Sequence, residues 1–285
     1  MCTNGDQGLQ GRIMPDFGLN QVTMARSAFA EFIRTAARLG CVGVELRNDL
    51  GRPFFDGMSP TQAGTFVHDH NLRILGLSQV NRFNYWSQIV ADELKLLIEV
   101  AEASGAETIS LIPCNDSPIL DPEERRKRLV DALESALPFL EGSSITAMIE
   151  PLGFASSSLR HKTELASTIE QLGIENRCKM VHDTFHHTLA GGGPICPNHT
   201  HIVHLSGVVD ATLGLDQMED AHRVLVDDHD QLGNLEQVKA MIEGGFTGVF
   251  SFECFAPEVH TLTNLEMAID NSMRFVTSYL QDMAA

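Results

Sequence analysis

Along the chain, short runs of aliphatic and β-branched residues alternate with longer stretches whose apolar positions recur at helical spacing. The short runs predict strands near Phe17–Asn20, Cys41–Arg47, Arg73–Val80, Glu107–Pro113, Ile145–Pro151, Lys179–Thr184, Ile202–Val208 and Thr247–Cys254. Between them, Leu94, Leu97, Ile98 and Ala101 share one helix face, behind a turn of Ala91, Asp92 and Glu93. Helix starts are signalled as well. Ser59-Pro60-Thr61-Gln62 offers an N-cap, a proline at the first helical position and a reciprocal Gln. Asp121-Pro122-Glu123-Glu124 repeats this logic with acids at the positive helix end. Gly40 and Gly105 follow helical runs where a left-handed C-cap is expected.

Eight strands alternating with helices predict an α/β protein built on a parallel sheet. Against an open doubly wound sheet, no G-x-G-x-x-G and no G-x-x-x-x-G-K-[ST] follows any strand. Gly191-Gly192-Gly193 lacks that spacing and runs straight into Pro194, so it reads as a flexible loop. The 285 residues are close to the roughly 250 typical of one (β/α)₈ barrel, and no low-complexity linker divides them. The expectation is a single-domain (β/α)₈ TIM barrel over residues 13–285, preceded by a polar, flexible tail over residues 1–12.

Charge narrows the partners. With 38 acidic against 20 basic residues and a formal net charge of -18, the chain lacks the clustered cations that nucleic acid or an anionic membrane surface would require. No apolar run approaches the ~18 residues needed to cross a bilayer, and the N-terminal segment reads as neither signal peptide nor anchor. Cysteines 2, 41, 114, 178, 196 and 254 are scattered, without a C-x-x-C, which fits a reducing, cytoplasmic setting.

Polar residues collect where the later strands end, the rim on which such a barrel places its active site. Strand five ends in Glu150, strand six in Asp183, strand seven carries His204 and strand eight carries Glu253. Taken singly, an acid at a strand end is more often a cap for the next helix, and a His in an apolar strand more often a hydrogen-bonded core residue. Together the four stand on successive strands at similar depth, and an acid inside an apolar strand is costly unless paired or metal-bound. Two Glu, one Asp and one His form a hard, mixed O/N set suited to one divalent ion, Mn²⁺, Mg²⁺, Co²⁺ or Zn²⁺. Because neighbours in a strand face opposite ways, His182 is expected to pack outward. His199 and His201 read as surface residues, and the stretch from Asp216 to Asp230 as an acidic loop over the mouth. Phe83, Tyr85 and Trp86 fit either core or pocket wall.

Glu150-Pro-Leu, Asp183-Thr-Phe-His186, His204 and Glu253 resemble the metal-site motifs of the xylose-isomerase-like TIM-barrel superfamily. That group spans ketose 3-epimerases, hydroxypyruvate isomerase, inosose isomerase and endonuclease IV barrels. The longer segments Glu150-Pro-Leu-Gly-Phe, Ser157-Ser-Leu-Arg160-His-Lys162, His182-Asp-Thr-Phe-His-His187, His204-Leu-Ser-Gly-Val, His222-Arg-Val-Leu-Val and Ser251-Phe-Glu-Cys-Phe-Ala-Pro257 resemble one subgroup of it, the 2-keto-myo-inositol (inosose) isomerases. The resemblance implies metal ligation by Glu150, Asp183, His204 and Glu253, with Mn²⁺ the leading ion. It implies isomerisation of a polyol ketone through an enediolate, with Glu150 and Glu253 as the proton-transferring groups. His186 matches the family's substrate-binding histidine, and Arg160, Lys162 and Arg223 are candidates for further substrate contacts, with Arg47 a weaker one. A homodimer or tetramer is expected from the same likeness. Ketose 3-epimerases carry a Glu where this chain has Ser156 and an Arg where it has Asp210, which counts against a ketohexose epimerase. An endonuclease would need further His ligands.

Overall fold

In the computed structural model, residues 15–116 and 121–283 are described; the segment 1–12, expected as a flexible tail, lies outside them. Eight strands, β1 (Asp16–Asn20), β2 (Gly43–Arg47), β3 (Arg73–Asn81), β4 (Thr108–Ile112), β5 (Thr146–Ile149), β6 (Cys178–Asp183), β7 (Thr200–Leu205) and β8 (Val249–Phe252), close into one parallel barrel in sequence order. The last strand pairs back onto the first through Gly18↔Ser251 and its neighbours. Helices α1 (Phe29–Arg38), α2 (Pro60–His68), α3 (Gln88–Ser104), α4 (Pro122–Glu141), α5 (Lys162–Leu172), α6 (Thr184–Leu189), α7 (Asn234–Glu243) and α8 (Leu265–Met283) follow the strands in turn. The architecture is a (β/α)₈ barrel in a single domain. None of the described helices is long and apolar enough to cross a membrane.

The local signals act as their chemistry dictates. Ser59 and Gln62 close a reciprocal capping box on α2, Asp121 accepts from the Glu123 and Glu124 amides to start α4, and Gly105 ends α3 at φ +73°. Strand ends are shorter than the hydrophobic runs suggest. Thr184 opens α6 instead of finishing β6, because Asp183, paired with His204 at the last ladder position, also caps that helix through its side chain. Glu150 and Glu253 each stand one residue past the last ladder position of their strand.

Two cores result from alternation along the strands. Outward residues such as Val44, Leu46, Ala147, Ile149, Val203, Leu205, Phe250 and Phe252 join the helices in the main apolar layer. Inward residues Leu75, Met148, Val181, Ile202 and Val249 form a separate cluster that floors the barrel. The floor needs a small residue beside it: a Cβ at Gly43 would come within 2.7 Å of the Leu75 side chain. Phe83 is fully buried and Trp86 packs on the main layer, so both belong to the core, while the half-buried Tyr85 ring packs against the Arg82 and Arg128 guanidiniums. His182 points outward as expected, with Nε2 3.0 Å from Gln237 Oε1 on α7.

Candidate metal centre

Two residues beyond the apolar floor, the same inward face turns polar. Glu150 follows Met148, Asp183 follows Val181, and His204 follows Ile202 at that spacing; Glu253 stands four beyond Val249. All four side chains are buried, and one ligand atom from each lies within 4.8 Å of the others.

His204 organises the group. Its Nε2 lies 3.0 Å from Glu45 Oε2, a fully buried carboxylate on β2. With Glu45 accepting, Nε2 carries the proton and Nδ1 is turned to the cluster. That atom is 3.1 Å from Glu253 Oε2, 3.7 Å from Glu150 Oε1 and 3.9 Å from Asp183 Oδ2. Asp183 serves as cap and candidate ligand together. Its Oδ1 accepts from the His186 amide at 2.8 Å to start α6, which leaves Oδ2 for the cluster.

Two arginines hold the acids in place. Arg223, from the segment after β7, donates through Nη2 to Asp183 Oδ2 and to Glu253 Oε2 (2.9 Å), and through Nε to Ser206 Oγ (3.0 Å). Its guanidinium lies over the Phe185 and Phe255 rings, 5.1 and 4.7 Å from their centroids. Arg47 Nη1 donates to Glu253 Oε1 at 2.8 Å, and Asn20 Nδ2 reaches the same oxygen at 3.1 Å.

This surround splits the two glutamates. Burial alone would raise the Glu253 carboxyl, but His204, Arg223 and Arg47 outweigh it and hold that carboxyl far below the usual range. Glu150 is raised instead, first by burial and then by the Glu253 charge. Burial works against a charged His204 too, yet Glu253 and Glu45 draw its imidazole well above the usual value. The cluster thus seeks positive charge at Nδ1.

Do these residues fit a metal ion? Glu150 Oε1 and His204 Nδ1 are both buried without a hydrogen bond, although buried polar atoms are rarely left so. They face each other within a set of three carboxylates and one imidazole, the donors that a divalent cation of intermediate hardness prefers. The second nitrogen of the His is already fixed by a carboxylate, the usual arrangement behind a ligating imidazole. The fit is good for a single ion.

The cluster opens into a cavity of about 550 Å³ at the mouth, where His186, Arg223, Arg47 and Phe255 form part of the wall. His186 Nε2 stands 3.9 Å from Glu150 Oε1. Its helix approaches the β5 loop closely only because residue 153 is Gly; a Cβ there would fall 2.3 Å from the His186 carbonyl oxygen. Arg160 and Lys162 are not brought to this wall. Arg160 donates to the Gly153 and Leu189 carbonyls at 2.8–3.1 Å, and the Lys162 ammonium meets His182 Nδ1, both beside a separate cavity. Glu45 and Asn20 escaped the sequence reading. The signal for Glu45 was the Glu45/Arg47 alternation in a strand whose other face is Val44 and Leu46.

A scan against protein families matches residues 33–279 to the xylose isomerase-like TIM barrel family, and the chain belongs to it. Among solved structures, a xylose isomerase domain-containing protein from Salmonella typhimurium LT2 is 26% identical, with a TM-score of 0.82 over 95% of this chain and 99% of that one. IolI, in a structure with a zinc atom bound, is 20% identical and superposes with a TM-score of 0.82 over 94% of this chain and 98% of its own. A D-psicose 3-epimerase from Clostridium cellulolyticum H10, solved with D-tagatose, is 13% identical, with a TM-score of 0.70 over 93% and 99%. A search of curated proteins found no match. The family match over most of the chain and these superpositions agree on one barrel fold.

Proposed function

We propose that the chain is a divalent-metal-dependent isomerase of an unphosphorylated cyclic polyol ketone, an inosose, moving a proton between the carbonyl-flanking carbon and its neighbour. The observation that carries this reading is the unequal glutamate pair around His204. Glu253 is kept ionised by Arg47, Arg223 and His204, while Glu150 has a raised proton affinity. Glu150, whose buried Oε1 has no hydrogen bond and which lines the mouth beside His186, lifts the proton and returns it. Glu253, held at both oxygens by Asn20, Arg47 and Arg223, supplies the fixed negative charge opposite.

Glu150, Asp183, His204 through Nδ1, and Glu253 would hold the metal; when bound it supplies Lewis-acid polarisation of the carbonyl, which acidifies the adjacent C–H. Mn²⁺ is the ion we favour, and the zinc atom in the IolI structure supports a metal-binding role for such a barrel. His186, next to Glu150 in the mouth, orients a substrate oxygen. Arg223 fixes Asp183 and Glu253 and presents its edge to the same cavity.

Among the described residues, the mouth offers no uncommitted arginine or lysine to grip a phosphate. Arg47 is paired with Asp49 and Glu253, Arg223 with Asp183, Asp220 and Glu253, and Arg82 with Asp116. A linear-ketose 3-epimerase fits less well, since Ser156 bonds Asn115 and Asp210 bonds Thr212 at exposed positions.

The test is deuterium exchange followed by NMR. Metal-stripped and Mn²⁺-loaded protein would be incubated in D₂O with 2-keto-myo-inositol, and separately with fructose and tagatose. Metal-dependent uptake beside the inosose carbonyl, with a new inosose appearing, is expected. Uptake only with the linear ketoses would replace this reading by the epimerase one.

A further inference from the structure

Behind the mouth, where α5 and α6 begin, lies a second cavity of about 110 Å³. Arg160, Lys162, Thr163, His186 and His187 line it, together with the Gly192–Gly193 turn and Asp183, whose two oxygens accept from the His186 amide and from Arg223. Space of this size takes a few waters or one small polyatomic ion.

Three features give it positive character. Lys162 is 8% exposed, and its ammonium meets only His182 Nδ1; among the described residues no carboxylate lies within ion-pair distance of it. Arg160 donates through Nε and Nη2 to two backbone carbonyls, bonds that do not use Nη1, and likewise has no acid partner among the described residues. At the α5 N-terminus, His161 provides no side-chain cap, so the Lys162 and Thr163 amides take no hydrogen bond among the described residues. Helix amides left this way carry partial positive charge outward. A buried cation without an acid is unusual in any protein, and more so in one of net charge -18. The His186 ring, whose buried Nδ1 has no partner, belongs to the walls of both this cavity and the mouth.

We infer that this cavity is a binding site for a small oxyanion, a phosphate or a carboxylate, held by Lys162, Arg160 and the first turn of α5. Such an ion would join the start of α5 to α6, the helix that Asp183 caps and that bears His186. It would sit behind the metal ligands, away from substrate. Burial brings the Lys162 ammonium down to about 7, so at neutral pH an arriving anion finds a lysine able to take up a full charge.

Isothermal titration of the full chain with inorganic phosphate, and separately with acetate, tests this. Parallel titrations of Lys162→Met and of Arg223→Met compare this cavity with the mouth. One saturable site is expected, weakened roughly tenfold or more by Lys162→Met and unchanged by Arg223→Met. In the wild-type chain the His187 imidazole resonances should shift with the same affinity, a measurement that does not depend on either variant folding. Phosphate binding separates from acetate binding by which of the two saturates. Absence of saturable binding at millimolar concentration overturns the inference. So does loss of binding in Arg223→Met with retention in Lys162→Met, which would move the anion to the mouth, or a His187 signal that stays still.

Discussion

The first and second halves of the barrel contribute to the mouth in different ways. From β5 to β8 come the four atoms that can touch an ion: Glu150, Asp183, His204 and Glu253. From β1 and β2 come Asn20, Glu45 and Arg47, which touch those residues. The late half supplies donors and the early half fixes where they point. Neither suffices alone. A carboxylate with free torsions loses ligand geometry, and Glu253 is held at both oxygens by residues from β1, β2 and the segment after β7. Precision at this centre is therefore a property of the closed ring, since β1 and β8 must be neighbours for Asn20 to reach Glu253.

This division of labour can be broken. His204→Ala has the largest expected effect: bound metal, read by elemental analysis, should vanish and turnover with it. Metal retained at wild-type stoichiometry would mean the centre lies elsewhere. Glu150→Gln should keep the fold while lowering kcat by roughly 10²–10⁴, the range for loss of a proton-transferring group; near-normal kcat would remove Glu150 as the base. Glu45→Gln touches no candidate ligand atom, yet should weaken metal affinity about tenfold, with Glu45→Ala weaker still. Calorimetric affinities equal to wild type would reduce Glu45 to a packing residue.

The smallest effect is expected outside the wall, at Lys162. Its ammonium titrates at about 7 in the folded chain against 10.5 for a free lysine. Between those values the folded chain binds fewer protons than the unfolded one, so this group's contribution rises with pH from about 7 to 10.5 and is lost as pH falls through that window. Lys162→Met should flatten that rise in Tm plotted against pH. An unaltered profile would show that the ammonium is better solvated than its burial implies.

How much of this could be read beforehand differs by half in the same way. Acids and a His at the ends of apolar runs stand out because their desolvation cost demands a reason, and that made Glu150, Asp183, His204 and Glu253 visible. Glu45 did not stand out. Gly43-Val-Glu45-Leu-Arg47 has the alternation of an ordinary half-solvated strand. Only closure of the sheet turns that polar face into a lumen, where Glu45 must find a partner such as His204. Arg160 and Lys162 looked equivalent to Arg223 for a related reason. All three follow late strands, but a residue at a helix start can fall on either side of the wall, and spacing along the chain does not say which. Strand centres were legible throughout. Their ends were not, because Asp183 closes β6 and caps α6 at once, which turns Thr184 into the first helical residue.

The floor of Leu75, Met148, Val181, Ile202 and Val249 carries a further consequence. None of these five side chains can donate a hydrogen bond, so the floor offers no relay for a proton. A hydrogen lifted from substrate would then exchange with water through the mouth by which substrate arrives, an opening that a seated substrate would narrow. The barrel then behaves as a vessel with one neck, and some of an isotopic label should return to the product within the same turnover instead of being lost to solvent.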